Sequence, residues 1–595
     1  MNQPHKEDVL LLRYAPDHSP GHWLCFRAPL RVVTATRVED VPSALSLLDE
    51  AVDAGHFAAG YFAYEAARAC DPAMATHAAC PLPLAHIAVY DRAEILATLP
   101  PPSHASCSTG AWTSAVPYAS YEKQVRDIKT WIQCGDTYQV NYTFQLQTSF
   151  KGDSLAWFHQ LYRAQPAAYA AYGTFGAHTL CSVSPELFFR VHDQDITARP
   201  MKGTAPRGRT WDEDQRHAEQ LRASVKNRAE NVMILDMMRN DLGRIAFPGS
   251  VSVQHLCEVE RYHTVLQMIS EVSARTDASL EQIMRALFPS CSITGAPKVR
   301  TMQLIHELEP EPRGIYTGAI GFASGRDPLT GERGRHAQFS VAIRTAHINE
   351  ATGHVRYGAG GGIVWDSDAG SEYAECHTKA LVLASPPPPF KLLETMRWTP
   401  ARGFAFFNEH LRRIGESAAY FLRPWNEPRA RKTLAREAET WKGTPMRVRL
   451  LLDERGTVEL DCSPLDDAPT RGDTWNLAVD DRPVDAQDRF LYHKTTHRHV
   501  YNAARARRPD ADDVLLWNTR REITESCLAN VAVQLDNRWY TPPVTCGLLA
   551  GVMRDALVRR GRLRERVITL EELDHAEAIV LFNSVRGFIR VRRIP

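Results

Sequence analysis

Apolar residues change period several times along the chain. Short β-prone runs at Ala168–Tyr172, Glu186–Val191 and Gly318–Ala323 predict strands, and longer amphipathic segments separate them. Between Asp214 and Met238, Leu221, Val225, Ala229, Val232, Met233 and Met237 recur at three- and four-residue steps, which predicts one helix. Asn240-Asp241-Leu242-Gly243 supplies its stop signal. The stretch Glu372 to Leu383 reads as another helix. Pro386 to Pro389 follow it, and four consecutive prolines cannot continue a helix and favour a stiff extended spacer. Beyond the spacer, Met446–Leu452, Asp513–Trp517 and Val531–Leu535 read as strands, and Glu409–Phe421 and Val552–Arg559 as helices. The fold class is therefore α+β in two domains, 1–383 and 390–595, joined by a proline linker at 384–389. The spacer alone leaves open a proline-rich loop inside a single domain.

Composition narrows the function classes. At 595 residues the chain exceeds what one ordinary core holds. It is 44% apolar and 24% charged, with no apolar run long enough to cross a bilayer. Lys+Arg and Asp+Glu both total 70, so no net field attracts nucleic acid or acidic membranes. Met1–Leu10 carries charges where an export signal has its apolar segment, and a cytoplasmic location is expected. The twelve cysteines stand singly, without a C-x-x-C pair, as reduced thiols do.

Some residues make poor sense as plain packing. Glu230 lies on the first helix with apolar Ile234 four residues on, and Glu372 and Glu375 share one face of the second. Carboxylates converging from two helices suit Mg²⁺, although most helix glutamates are solvated charges. Ser292 to Lys298 and Tyr357 to Gly362 are glycine-rich, which lets backbone approach an anion and equally serves a tight turn. Lys494 sits among cations in Leu491 to Arg498, a setting for a lowered pKa or simply for an exposed lysine.

Six collinear motifs carry a resemblance. Gly135 to Asn141, Ser184-Pro185-Glu186, Pro200 to Thr204, Arg239 to Leu242, Ser292 to Lys298 and Gly362-Ile363-Val364 resemble the chorismate-utilising enzymes, over about residues 55 to 382. That family includes the anthranilate, aminodeoxychorismate, isochorismate and salicylate synthases. The resemblance implies an α/β sandwich binding chorismate and Mg²⁺ between its sheets. Lys202 is the residue of aminodeoxychorismate synthases at a position where anthranilate synthases generally have alanine. It implies that Lys202 attacks C2 of chorismate, with Glu186 as general acid/base. Glu230 and Glu375 would hold Mg²⁺ with Glu372 close by. Tyr316 and Arg344 would contact substrate carboxylates, with backbone at Gly203, Thr204, Gly360, Gly361 and Gly362. Cys291 stands where the family usually has glycine. The region before residue 55 lacks a clear tryptophan-binding element, so tryptophan feedback is not expected. No glutaminase elbow is present, and ammonia is expected from a separate glutamine amidotransferase subunit.

The second half resembles the fold-type IV pyridoxal-phosphate enzymes, over about residues 391 to 590. The motifs are Glu409 to Arg413, Lys494, Ile523 to Asn530 and Gly551 to Arg554. The family includes aminodeoxychorismate lyase, branched-chain aminotransferase and D-amino-acid aminotransferase. It implies that Lys494 carries pyridoxal phosphate and shuttles a proton, and that Glu525 pairs with the pyridine nitrogen. Arg413 with the N–H groups of Val552 and Met553 would bind phosphate. Asn583 and Arg586 are substrate-contact candidates. This half starts directly at Phe390 to Thr395, so the first strands of its small subdomain are expected to be missing or supplied by the other half. Fold-type IV enzymes usually dimerise, which points to a homodimer through this domain. The pairing of halves suggests synthesis of 4-aminobenzoate: amination of chorismate, then lyase cleavage. An aminotransferase of other specificity, or a non-catalytic docking domain, remains the alternative for the second half.

Overall fold

Alternation along single strands sorts side chains between two layers. Leu10, Leu12 and Tyr14 of strand Val9–Tyr14 are buried with Phe57, Tyr61, Ile320 and Phe322. Leu11 between them packs on the opposite face with Trp157, Phe158 and Leu161 of helix Ser154–Ala164. The computed structural model describes residues 8–15, 21–103, 106–384, 386–465 and 474–595. Most of the charged N-terminus (1–7) and Ser385 of the spacer lie outside the described residues.

The chain packs as two units: 1–206 with 217–386, and 207–216 with 387–595. The sequence pattern predicts no boundary near 207. In the first unit, an eleven-stranded and a ten-stranded antiparallel sheet enclose the layer around Leu10 and Phe322. Helices Val41–Asp53, Val225–Gly243 and Leu280–Leu287 cover the outer face of the ten-stranded sheet. Helices Tyr118–Gln133, Ser154–Ala164 and Lys298–Leu308 cover that of the other. The N-terminal strands are integral to this sandwich, since Val9–Tyr14 pairs with both His22–Arg27 and Tyr169–Phe175.

The single helix expected over Asp214–Met238 is two, Trp211–Ala223 and Val225–Gly243. Ser224 interrupts it: its backbone is extended and its hydroxyl accepts from the Asn227 N–H. Apolar periodicity runs straight through such a break, because a serine can satisfy the orphan donors of a new helix start. Expected helix Glu372–Leu383 is α-helical over Ala369–Lys379 and tightens into a 3₁₀ turn at Ala380–Leu383.

In the second unit, Gly403–Phe404, Leu392–Thr399, Met446–Leu452 and Val458–Pro464 form an antiparallel sheet. Helices Phe407–Tyr420 and Glu427–Ala438 cover one face with Leu411, Ile414 and Leu434. Val448, Leu450 and Leu452 point into that core, so Arg447 and Arg449 face the other way. A mixed eight-stranded sheet completes the unit, with helix Val552–Arg559 packed on it through Met553, Leu557 and Phe582. No helix among the described residues is long and apolar enough to cross a membrane.

Candidate active sites

A cavity of about 110 Å³ in the first unit gathers residues from distant parts of the chain. Lys202 reaches it from a bulge. Strand Met201–Pro206 slips register against Val265–Arg275 between Met201 and Thr204, and Gly203 there takes φ +95°. The Lys202 amine lies over Gly362, where a Cβ would come within 2.8 Å of Nζ. Gly358 serves similarly beneath the Tyr316 ring, 2.1 Å from where a Cβ would sit. Burial pulls the Lys202 pKa down; Glu230 opposes this and Lys379 adds to it. Burial of this kind favours the neutral amine.

Glu186 stands just before strand Leu187–His192 and is fully enclosed. Burial pushes its carboxyl up to about 7, against the Ser292 hydroxyl that donates to it and the charge of Lys202. Arg344 is also buried, in a left-handed backbone conformation, and its Nη1 finds no hydrogen-bond partner among the described residues. An unpaired buried guanidinium nitrogen lining a cavity is a ready carboxylate site.

Glu230, Glu372 and Glu375 line the same cavity. Lys226 lies 3.9 Å from Glu230 and 3.5 Å from Glu372, while Lys379 pairs with Glu375 at 2.8 Å and donates to the Gly360 carbonyl at 2.9 Å. Burial works against ionisation of Glu375, but the Lys379 pair overrides it and holds the carboxyl below its usual range. No group of three or more His, Cys, Asp or Glu among the described residues is arranged to hold a metal by itself. The donor set still fits Mg²⁺, which takes one or two protein carboxylates and completes its shell with substrate oxygens and water. Gly203, Thr204, Tyr316, Gly360 and Gly362 line the cavity. Gly361 is not among the lining residues, and a Cβ there would lie 3.3 Å from Glu372 Oε2.

A cavity of about 270 Å³ in the second unit collects Arg413, Lys494, Glu525, Val552, Met553, Asn583 and Arg586. Lys494 follows the 3₁₀ turn Arg489–Leu491, and its carbonyl accepts from the Leu393 N–H at 2.9 Å. Burial, reinforced by Arg413, lowers the Lys494 pKa to about 8. Glu525 accepts from Tyr501 Oη at 2.8 Å, the Leu549 N–H at 3.1 Å and Asn530 Nδ2 at 3.2 Å. Burial nevertheless lifts it to about 7. Helix Val552–Arg559 begins at the cavity with no side-chain cap, and Gly551 before it has no room for a Cβ, which would lie 1.9 Å from Asn530 Oδ1. An uncapped helix start, a buried amine and a buried carboxyl fit a phosphorylated pyridine aldehyde.

Arg413 is held by groups that the sequence pattern does not single out. Glu394 takes both Nε and Nη2 at 2.8 and 2.7 Å, His410 Nδ1 bonds the same carboxylate at 2.6 Å, and Nη1 donates to the Ala550 carbonyl. Arg447, Arg449, Arg498 and Tyr501 line the second cavity, and Lys226, Gln267 and Lys379 the first; sequence reasoning misses all but Arg498, one of the cations around Lys494. Two have local signals, since Lys226–Glu230 and Glu375–Lys379 are four-residue helix pairs.

Residues 30–385 match the family described as chorismate binding enzyme, and residues 391–594 that described as amino-transferase class IV. Aminodeoxychorismate synthase component 1 of Salmonella typhimurium is 40% identical over 273 residues, 46% of this chain and 58% of that protein. Anthranilate synthase component 1 of Streptomyces coelicolor is 36% identical over 283 residues, 47% of this chain and 53% of that protein. The chain thus spans little more than half the length of these curated relatives. Anthranilate synthase component I from Streptococcus pneumoniae superposes with a TM-score of 0.50 at 23% identity, over 64% of this chain and 93% of that one, a likeness of fold.

Proposed function

This chain belongs to the chorismate-binding enzymes and ends in a class IV aminotransferase domain, and on that premise we propose that it makes 4-aminobenzoate in two steps. The first half aminates chorismate at C4; the second cleaves the resulting 4-amino-4-deoxychorismate. The observation that carries the reading is the Lys202 amine, buried over Gly362 in one cavity with Glu186 and Arg344.

Arg344 and Tyr316 contact chorismate carboxylates. The neutral Lys202 amine adds to C2 as the C4–O bond breaks, and Glu186 protonates the departing hydroxyl, which leaves as water. Ammonia, delivered by a separate glutamine amidotransferase, then adds at C4 and Lys202 departs from C2. Mg²⁺ held by Glu230 and Glu375, with Glu372 beside them, would neutralise a substrate carboxylate.

In the second half, pyridoxal phosphate supplies an electron sink when bound. Lys494 anchors it and takes the C4 proton of the substrate. Glu525 would pair with its ring nitrogen, while Arg413 and the N–H groups of Val552 and Met553 would hold its phosphate. Asn583 and Arg586 orient the substrate as pyruvate leaves. A homodimer through this domain belongs to the same reading.

The test is a product assay with chorismate, Mg²⁺, ammonium and pyridoxal phosphate. The expected products are 4-aminobenzoate and pyruvate, and Lys202→Ala abolishes both while still binding pyridoxal phosphate. Aminodeoxychorismate that accumulates until an external lyase is added would overturn the second half's role and leave the first's. Full amination by Lys202→Ala would remove the nucleophile.

A further inference from the structure

The second unit contains ten residues, Arg207–Arg216, that come from far earlier in the chain than the rest of it. Their contacts converge on the two residues before Lys494. Arg207 forks onto Asp214 at 2.6 and 3.1 Å, with both side chains buried. Its guanidinium lies 4.5 Å over the Tyr420 ring and donates to the Tyr420 carbonyl at 2.8 Å; Tyr420 Oη returns a bond to the Gly208 carbonyl at 2.7 Å. The His493 ring packs 4.2 Å from Tyr420, and its Nδ1 meets Ser417 Oγ at 2.9 Å. By a second route, Arg209 lies 5.5 Å over the Tyr492 ring and donates to Tyr492 Oη at 3.3 Å. Glu213 fixes Arg209 from behind, both contacts at 3.0 Å. The segment also walls a cavity of about 280 Å³ that shares Arg413 and Val552 with the cofactor cavity.

We propose that Arg207–Arg216 is a buttress for the cofactor lysine, with Arg207 and Arg209 as positioning residues that hold Tyr492-His493 and thereby keep Lys494 aimed and dry. The segment covers one side of that dipeptide, while the Leu393 N–H ties the Lys494 carbonyl from strand Leu392–Thr399. The inference rests on reading Lys494 as the cofactor lysine. It makes ten residues of the synthase half's sequence part of the lyase half's working site.

Pyridoxal phosphate is titrated into the full-length protein, and into its Arg209→Ala and Tyr492→Phe variants, by visible absorption across pH. Losing this charged contact is expected to weaken cofactor binding about tenfold. Admitting water beside Lys494 should also raise the apparent pKa of the lysine-dependent band, a change that global destabilisation would not produce. Tyr492→Phe loses one hydroxyl, which accepts from Arg209 and donates to the Ala486 carbonyl at 2.7 Å, and carries the test if Arg209→Ala folds poorly. Unchanged affinity and unchanged pKa in both variants overturn the buttress and leave the function standing. A visible band that survives Lys494→Ala overturns the lysine assignment and the buttress with it.

Discussion

Replacing Glu394 by glutamine should strip the second unit of a buried charge that Arg413 and His410 share. Glu394 and His410 are each 1% exposed, and Arg413 spends three of its donor contacts on Glu394 and Ala550. Burial alone would raise the Glu394 carboxyl, but Arg413 and His410 hold it down at about 2 against an ordinary 4.5. At neutral pH that difference corresponds to about 3 kcal/mol of native-state stability. Breaking a buried ion pair by removing one partner gives a similar cost, about 3–5 kcal/mol, because the guanidinium is left uncompensated. For a unit of this size the loss corresponds to a fall of about 6–12 °C in unfolding temperature. The sign with pH follows from the lowered pKa. The Glu394 contribution is complete above the ordinary carboxylate value and is lost as pH falls through about 2, so the wild type loses stability in acid more steeply than Glu394→Gln. Thermal release of bound pyridoxal phosphate, followed at its visible absorption from pH 7 downward, measures both effects within this unit. A variant that releases cofactor within about 2 °C of wild type at pH 7 would refute the reasoning.

Other outcomes follow from the same geometry. Glu186, raised to about 7, is protonated below that value, so chorismate amination should decline as pH rises through it, and Glu186→Gln should abolish the reaction. The same shift means that Glu186 contributes stability below about 4.5 that is lost as pH rises through about 7; denaturant melts of Glu186→Gln at pH 8 should therefore exceed wild type. Gly362→Ala places a methyl 2.8 Å from Lys202 Nζ and 3.0 Å from Gln139 Cδ, and should lower the amination rate at least tenfold in steady-state assays while leaving pyridoxal phosphate binding intact. Arg449→Ala should raise KM for aminodeoxychorismate more than tenfold with little change in kcat, if the strand arginines lining the second cavity bind substrate carboxylates; unchanged KM would exclude that role.

Local sequence decided which elements form. The period of apolar residues in Met446–Leu452 and Val552–Arg559 matches the observed strand and helix, and four prolines after a helix cannot be read as its continuation. Resemblance at six ordered motifs in the first half and four in the second implied roles for Lys202, Glu186, Lys494 and Glu525, all of which line their cavities. Periodicity could not find the break at Ser224, because a cap competes with helix continuation through one hydroxyl and leaves the apolar pattern untouched. Tertiary packing alone decided that Lys202 and Glu186 share a water-poor space, that Glu394 neutralises Arg413, and that residues 207–216 belong beside Tyr492 and His493. Sequence specifies which groups can ionise and how their neighbours repeat. Desolvation and charge partnership arise only when folded elements exclude the same water, and those terms set the pKa values on which the chemistry depends.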